Sequence, residues 1–195
     1  DKDMIKYQPT ELSTKFGVSY IDTKEVYDKK DRVKFMNQKM GYIEVDLESL
    51  KRMLSKNFIY CGFKFKDGIR NSENLIRRTN LLIFDIDNSE ISMSEMSNCL
   101  ADIKHIICST SDKTNIYKFR VIIPLDRYVE IDNYKNLMKL VAKDYLIGVN
   151  IDLLPESQIF YSYKDANVIE NLDGELLNIK EYLLTVKENN IRELT

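Results

Sequence analysis

Two aspartates, Asp85 and Asp87, stand one residue apart at the end of the apolar run Leu81–Phe84. The run is short and rich in strand-forming residues, so it predicts a buried strand, and the alternation of side chains would place both carboxylates on one face. Adjacent carboxylates repel each other unless a cation lies between them, and oxygen ligands of this kind are typical of Mg²⁺ or Mn²⁺ sites. The simplest alternative is a strand that runs out into a polar turn.

More polar residues flank the later apolar segments. Ser109 and Ser111 follow one segment, Arg120 begins the next, and Asp152 precedes a third. An arginine can bind a triphosphate through two parallel hydrogen bonds, and hydroxyls together with the backbone amides of a turn can bind phosphate oxygens. With Asp85 and Asp87, Asp152 makes three carboxylates, which could hold the ions of two-metal phosphoryl transfer.

The elements that must position these residues predict an α+β fold in the order β-α-β-β-α-β, which is typical of ferredoxin-like and RNA-recognition-motif (RRM) sheets. A capping box, Ser92 to Glu95, begins the first helix. The predicted strands cover residues 81–87, 104–109, 119–125 and 158–163, and the second helix covers 132–146. In that antiparallel fold the spatial order is 4-1-3-2, so the strand 81–87 is central. The polar residues above would then converge along one edge of the sheet, which argues for a site more strongly than any single motif.

The chain is expected to form one domain of 195 residues, in which an N-terminal α/β lobe, 1–80, precedes the RRM-like sheet, 81–165. In the lobe, the segment Thr23–Arg32 has a helical composition, and Asp46 or Ser49 could cap a helix that runs to about Lys56. A strand over 58–65 ends at the turn Asp67-Gly68. A C-terminal helix is expected over 178–195, with Asn178 and Glu181 as its capping signal.

Positive charge is concentrated just before the Asp-x-Asp strand. Residues 51–80 carry eight basic and two acidic side chains, although the whole chain has a net charge of −2. This basic block could follow a nucleic-acid backbone, or it could be an ordinary solvated surface. The candidate nucleic-acid contacts are Lys64, Lys66, Arg70, Arg77 and Arg78. Tyr60, Phe63 and Phe65 could stack on bases, but alternating aromatic residues belong more often to a core.

Cysteine and histidine are scarce. Cys61, Cys99 and Cys108 form no Cys-x-x-Cys pair, and a structural zinc site is not indicated. We expect buried free thiols in a reducing, cytoplasmic compartment, and the lack of a long apolar run indicates no membrane partner. The one histidine, His105, lies inside an apolar strand and is expected to belong to the core. Because the chain begins at Asp1, we also consider that it is a piece of a longer protein.

Three segments resemble the motifs of the archaeo-eukaryotic primase superfamily, which includes the primase-polymerases of plasmids, phages and other mobile elements. Phe84-Asp85-Ile86-Asp87 looks like its first motif. The segment 108–112, with Arg120 on the next strand, looks like the second, and Ile151-Asp152 looks like the third. The resemblance covers about residues 58–163.

The resemblance implies a catalytic RRM-like sheet beside an N-terminal lobe, and a nucleotidyltransferase that copies a single-stranded DNA template from dNTPs or NTPs with Mg²⁺ or Mn²⁺. A helicase domain or a separate helicase is considered as a further partner. One position departs from the pattern, because Asp112 stands where the family has a histidine that contacts the phosphates of the nucleotide. Lys113 and Arg120 would then carry that contact, or activity would be weak or lost.

Two other functions stay open. A primase fold without activity could serve as a nucleic-acid-binding or replication-initiation module. The segment Asp85-Ile86-Asp87 also looks like the first motif of haloacid-dehalogenase phosphatases, in which the first aspartate is a nucleophile. That family would require a parallel sheet of repeated βα units, which the predicted element order lacks.

Overall fold

The computed structural model describes residues 12–194, and within them the protein is a mixed α+β fold with five α-helices and two sheets of four strands each. The strands are Phe16–Asp22 (β1), Gly41–Val45 (β2), Phe58–Cys61 (β3), Arg78–Ile86 (β4), His105–Ser109 (β5), Phe119–Glu130 (β6), Phe160–Tyr161 (β7) and Val168–Asn171 (β8). The α-helices are Lys29–Arg32 (α1), Leu47–Leu54 (α2), Met93–Cys99 (α3), Ile131–Tyr145 (α4) and Lys180–Glu193 (α5). Short 3₁₀ turns cover Val33–Phe35, Lys66–Gly68 and Ser72–Asn74.

Both sheets are antiparallel. The first has the order β2-β1-β3-β7 and the second β4-β6-β5-β8. The α+β class is therefore confirmed, as is the neighbourhood β4-β6-β5, which corresponds to the predicted strands 1-3-2.

The predicted position of the last strand is wrong. Residues 160–161 do not pair with β4; they pair with β3, with Tyr161 opposite Ile59. Side chains fix this choice, because Ser162 Oγ accepts from the Phe58 N–H at 2.9 Å and donates to the Lys56 carbonyl at 2.6 Å. As a result β4 is an edge strand of the second sheet rather than its centre, and β8 takes the opposite edge.

The strand β4 is nevertheless buried on both faces, which explains its continuous apolar run. Leu82 and Phe84 belong to a core cluster that also contains side chains of helices α3 and α4. Leu81 and Ile83 belong to a second cluster, which includes Val18 of β1 together with apolar residues of α2. The N-terminal lobe thus covers the face of the second sheet that the helices leave open.

Several local predictions are confirmed. Asp46 caps α2 by accepting from the Ser49 N–H at 2.8 Å, and Ser92 and Glu95 form the predicted capping box of α3. The turn at Asp67-Gly68 has positive φ at both residues. The C-terminal helix begins at Lys180, after an N-cap residue that lacks a side-chain cap, so its predicted start at Asn178 is wrong by two residues.

Other local predictions differ from the structure. Only the last four residues of the predicted helical segment Thr23–Arg32 form an α-helix. The strand predicted over 58–65 ends at Cys61. The strands β1, β2 and β8 have no counterpart among the predicted strands.

Candidate active site

Asp85 and Arg120 face each other across neighbouring strands. They are direct partners in the β4–β6 register, and Arg120 Nη2 donates to Asp85 Oδ1 at 3.1 Å. The side chain of Arg120 is 10% exposed and that of Asp85 is 30% exposed, so the ion pair is largely screened from water while the carboxylate keeps an open side. The predicted association of the first motif with Arg120 is therefore present as a direct contact.

The guanidinium of Arg120 also joins the two sheets. Its Nη1 donates to the Tyr161 carbonyl at 3.0 Å and to the Tyr60 hydroxyl at 3.4 Å, and its centre lies 4.7 Å from the ring of Phe160. Burial lowers the pKa of Arg120, but Tyr60 and Asp85 raise it by a larger amount, so the net pKa rises and the side chain stays charged. Burial raises the pKa of Tyr60 to about 12, although the nearby Arg120 lowers it.

Asp87 lies just beyond the end of β4, where it is exposed, and its carboxylate is 3.6 Å from Lys118 Nζ. In residues 12–194 no group of three or more His, Cys, Asp or Glu side chains is arranged to hold a metal ion. Two aspartates are still a fitting donor set, because Mg²⁺ is commonly bound by one or two carboxylates together with substrate phosphates and water. The residues present therefore fit a divalent ion that a phosphate ligand completes.

Asp152, the third candidate metal ligand, does not form a metal-binding group with Asp85 and Asp87. It lines a small cavity between α4 and the loop before β7, together with Ile83, Tyr134 and Phe160. Ile83 precedes Asp85 by two positions, so this cavity borders the same face of β4. The structure does not gather the three aspartates into one coordination group.

The turn after β5 holds the predicted phosphate contacts. Ser109 is buried, and its Oγ accepts from the Asn167 N–H at 2.8 Å, which ties β5 to the segment before β8. Ser111 is exposed, and its hydroxyl opposes the rise in the pKa of Tyr163 that burial causes. Lys113 is exposed, and its carbonyl accepts from Asn167 Nδ2 at 2.9 Å.

The Asp112 carboxylate accepts hydrogen bonds from within the turn after β5. Its Oδ1 accepts from the Thr114 N–H at 3.1 Å and from the Thr114 hydroxyl at 2.6 Å. These hydrogen bonds hold the pKa of Asp112 below its usual value, so the position where the family has a histidine is an anion.

The basic block is divided over the surface. Lys64 Nζ lies 4.9 Å from the centre of the Tyr42 ring, and the Arg78 guanidinium lies 4.2 Å from that of Tyr128. Arg78 opens β4 and Asp85 is seven positions further on, so the two are separated by roughly 20 Å at the rise of a strand.

The remaining basic candidates differ in their contacts. Arg77 pairs with Asp132 at 2.7 Å, Arg70 Nε donates to the Ser157 carbonyl at 3.1 Å, and Lys66 begins a 3₁₀ turn. Tyr60, Phe63 and Phe65 are at most 2% exposed, so they are core residues and cannot stack on bases.

His105 is a core residue, as predicted. It is fully buried, with Nε2 at 2.7 Å from Ser97 Oγ and Nδ1 at 2.8 Å from the Ile103 carbonyl. Burial lowers the pKa of His105, so the ring is neutral near pH 7.

Sequence reasoning missed Arg32 and the residues around it. Arg32 is completely buried, and its guanidinium lies 4.8 Å from the ring centre of Tyr163 and 5.5 Å from that of Tyr161. Lys29 Nζ lies 5.3 Å from the Tyr161 ring. No spacing in the sequence could have predicted these contacts. Arg32 and Arg120 both contact Tyr161 of β7, and β7 pairs with β3 in the first sheet instead of with β4 as predicted.

Comparison with known proteins gives two findings. A model of the family described as the VapE N-terminal domain matches residues 57–164, which is more than half of the chain. Among solved structures, the AEP domain of the cyanophage S-2L primase-polymerase (PrimPol) is similar with a TM-score of 0.45 and 11% sequence identity, over 89% of each chain. No curated protein matches the sequence.

Proposed function

The chain belongs to the family of VapE N-terminal domains, and from that premise we propose that it is a primase-polymerase-like nucleotidyltransferase that acts on a single-stranded DNA template in the replication of a mobile element. The observation that carries the proposal is the Asp85–Arg120 pair beside Asp87 at the end of β4. It supports the proposal because two carboxylates that could bind a metal ion lie near a guanidinium that could bind phosphate, as the resemblance to primases requires.

In this proposal Asp85 and Asp87 hold a Mg²⁺ or Mn²⁺ ion, which when bound neutralises charge on the transferred phosphate. Arg120 binds phosphate oxygens of the dNTP or NTP. Its Nε has no hydrogen-bond partner in the structure, and its Nη2, which donates to Asp85, would be free to donate to phosphate if Asp85 held a divalent ion instead. The guanidinium is oriented for this by Tyr161 and Phe160, so it loses little rotational freedom when the nucleotide binds.

The turn after β5 supplies secondary contacts. Ser111 and Lys113 are exposed there and are proposed to contact phosphate, whereas Ser109 holds the turn in place through Asn167. Asp152 is proposed as the third carboxylate, which the loop before β7 would bring towards the pair when metal and nucleotide are bound.

The template is proposed to follow the surface formed by Lys64, Tyr42, Tyr128 and Arg78. Cations that lie over partly exposed aromatic rings suit single-stranded DNA, because such rings can stack on bases while the cations contact phosphates. Lys66, Arg70 and Arg77 are proposed as further contacts with the backbone. A helicase, in the same chain or a separate one, is the proposed partner in replication.

A binding module without catalysis is the second candidate. It is favoured by Asp112, whose negative charge would repel a triphosphate, and by the cations that neutralise Asp85 and Asp87. The phosphatase alternative has lost its support, because the second sheet is antiparallel and not a parallel sheet of βα units.

An extension assay tests the proposal. Wild-type protein is given a single-stranded DNA template, with and without a primer, together with labelled dNTPs or NTPs and Mn²⁺ or Mg²⁺. We expect incorporation that Asp85→Asn and Asp87→Asn abolish while template binding stays nearly unchanged. Asp102→Asn, an exposed aspartate on another part of the surface, is the matched control and should be fully active. Template binding without incorporation under any of these conditions would favour the binding module.

In residues 12–194, none of the helices combines the length and the apolar composition that a membrane crossing requires.

A further inference from the structure

Buried polar atoms without a partner are concentrated in three residues. In the described part of the chain, five buried side-chain atoms lack a hydrogen-bond partner, and four of them are Nη1 and Nη2 of Arg32, Nε of Arg120 and Oγ1 of Thr110. The three residues are 0%, 9% and 7% exposed, respectively. A guanidinium only donates and a hydroxyl can donate, so the group that is missing is an acceptor.

Two of these residues, Arg32 and Arg120, contact the end of β7. Arg32 lies over the rings of Tyr161 and Tyr163, and Arg120 donates to the Tyr161 carbonyl. Thr110 directly follows β5, and Cys108, two positions before it, pairs with Arg120 in the β5–β6 register. The charges of Arg32 and Arg120 both act on the phenol of Tyr163.

The side chains that contact Tyr161 of β7 carry an excess of positive charge. Lys29, Arg32 and Arg120 contribute three positive charges, whereas the one carboxylate that pairs with any of them in residues 12–194 is Asp85. The side chain of Arg32 makes a single hydrogen bond, from Nε to the Val26 carbonyl at 2.9 Å. A buried charge without an ion pair is costly, and tyrosine rings compensate for it only in part. An anion would complete the arrangement.

We propose that Arg32 and Thr110, with Lys29 at the rim, bind the polyphosphate of the incoming nucleotide next to Arg120. This inference rests on the proposed function, because it takes the substrate of that site to be a nucleoside triphosphate. The rings of Tyr161 and Tyr163 cover the Nη atoms in this structure. Binding therefore requires these rings to turn outward. The guanidinium of Arg32 then loses its cation–π contacts with the rings and donates hydrogen bonds to phosphate oxygens instead.

Sodium tripolyphosphate is the probe, titrated calorimetrically into the full chain without metal, template or nucleoside. We expect wild type to bind it, and we expect Arg32→Met to weaken binding by about tenfold or more, as for the loss of a charge-assisted contact. Thr110→Val, which keeps the shape of the side chain, should weaken binding by a few fold. Arg52→Met is the matched control, because Arg52 is exposed on α2 and bonds only Ser49, and its affinity should equal that of wild type.

Melting temperature separates binding from a merely structural role. If Arg32 is a ligand-binding residue whose charge is unpaired, Arg32→Met should melt at or above the wild-type temperature while it binds tripolyphosphate more weakly. If Arg32 only fastens α1 to β7, the variant should melt earlier and bind as wild type does, which would overturn the inference. Thr110→Val gives the same decision if Arg32→Met does not fold.

The outcomes also distinguish this inference from the proposed function. Wild type that extends a primer but does not bind tripolyphosphate, or an Arg32→Met variant with the wild-type KM for nucleotide, would overturn the inference and leave the function standing. Wild type that binds tripolyphosphate through Arg32 but never incorporates a nucleotide would support the anion site and overturn the polymerase.

Discussion

Removal of Arg120 should show how far the site depends on the Asp85–Arg120 pair. Loss of one partner from a buried ion pair costs about 3–5 kcal/mol, whereas exposed pairs contribute about 0–1 kcal/mol. Asp85 keeps 30% of its side chain exposed, so its uncompensated charge is partly hydrated and the lower end applies. We expect Arg120→Met to lower the free energy of unfolding by about 3 kcal/mol and, for a chain of this size, the melting temperature by about 6–12 °C.

A double-mutant cycle isolates the pair itself. In Arg120→Met/Asp85→Asn no carboxylate is left unpaired, so we expect a coupling energy of about 1–3 kcal/mol between the two substitutions. Arg77 and Asp132 form a matched control, because their ion pair is shorter, at 2.7 Å, but their side chains are 63% and 79% exposed. The same cycle there should give less than about 1 kcal/mol. Since the chain has no tryptophan, unfolding in urea is best followed by circular dichroism.

The same variant should respond more strongly to metal. Without Arg120, Lys118 is the one cation in residues 12–194 that forms an ion pair with either Asp85 or Asp87, so Mn²⁺ should raise the melting temperature of Arg120→Met by more than it raises that of wild type. A coupling energy near zero, or an equal response to Mn²⁺ in both proteins, would refute the idea that Arg120 acts as the counter-charge of the metal-binding carboxylates.

Three further predictions concern single residues. Asp112→His should tighten nucleotide binding, more at pH 6 than at pH 8 because the imidazolium attracts phosphate, and an unchanged Kd at both pH values would show that the second motif is misplaced. Asp152→Asn should lower kcat for extension and leave tripolyphosphate binding intact, whereas full activity would remove Asp152 from the metal site. Because burial lowers the pKa of His105, the unfolded chain takes up a proton that the folded chain refuses, so wild type should lose stability relative to His105→Asn as the pH falls below about 6.5. Melting curves between pH 8 and pH 5 measure this, and parallel curves would contradict it.

The sequence predicted what depends on local pattern. The apolar run before Asp85, the capping box at Ser92 and the cap at Asp46 are local signals, and each appears in the structure. The position of Arg120 beside the end of β4 followed from the order of the strands, because β4 and β6 are neighbours in the predicted and in the observed sheet. That its partner is Asp85 is a finding of the structure.

What the sequence could not predict depends on contacts between distant segments. The element order β-α-β-β-α-β predicts that the last strand pairs with β4. In the structure the backbone groups of Phe58 and Lys56 bind the Ser162 hydroxyl, and this holds residues 160–161 against β3 in the first sheet. The burial of Arg32 depends on that same change, because Tyr161 and Tyr163 follow β7 into its neighbourhood. Neither the pairing of β7 with β3 nor the burial of Arg32 produces a repeating pattern that could be recognised in a single sequence.

The two-residue strand β7 has a consequence for how the chain folds. Phe160 and Tyr161 close the first sheet, yet three of the four strands of the second sheet, β4, β5 and β6, lie between them and β3 in the sequence. A growing chain therefore displays the free edge of β3 until residue 161 has been made, and such edges invite pairing with other chains. We expect that a fragment ending before Phe160 aggregates, that the lobe 1–80 is not stable by itself, and that both sheets unfold in one cooperative transition.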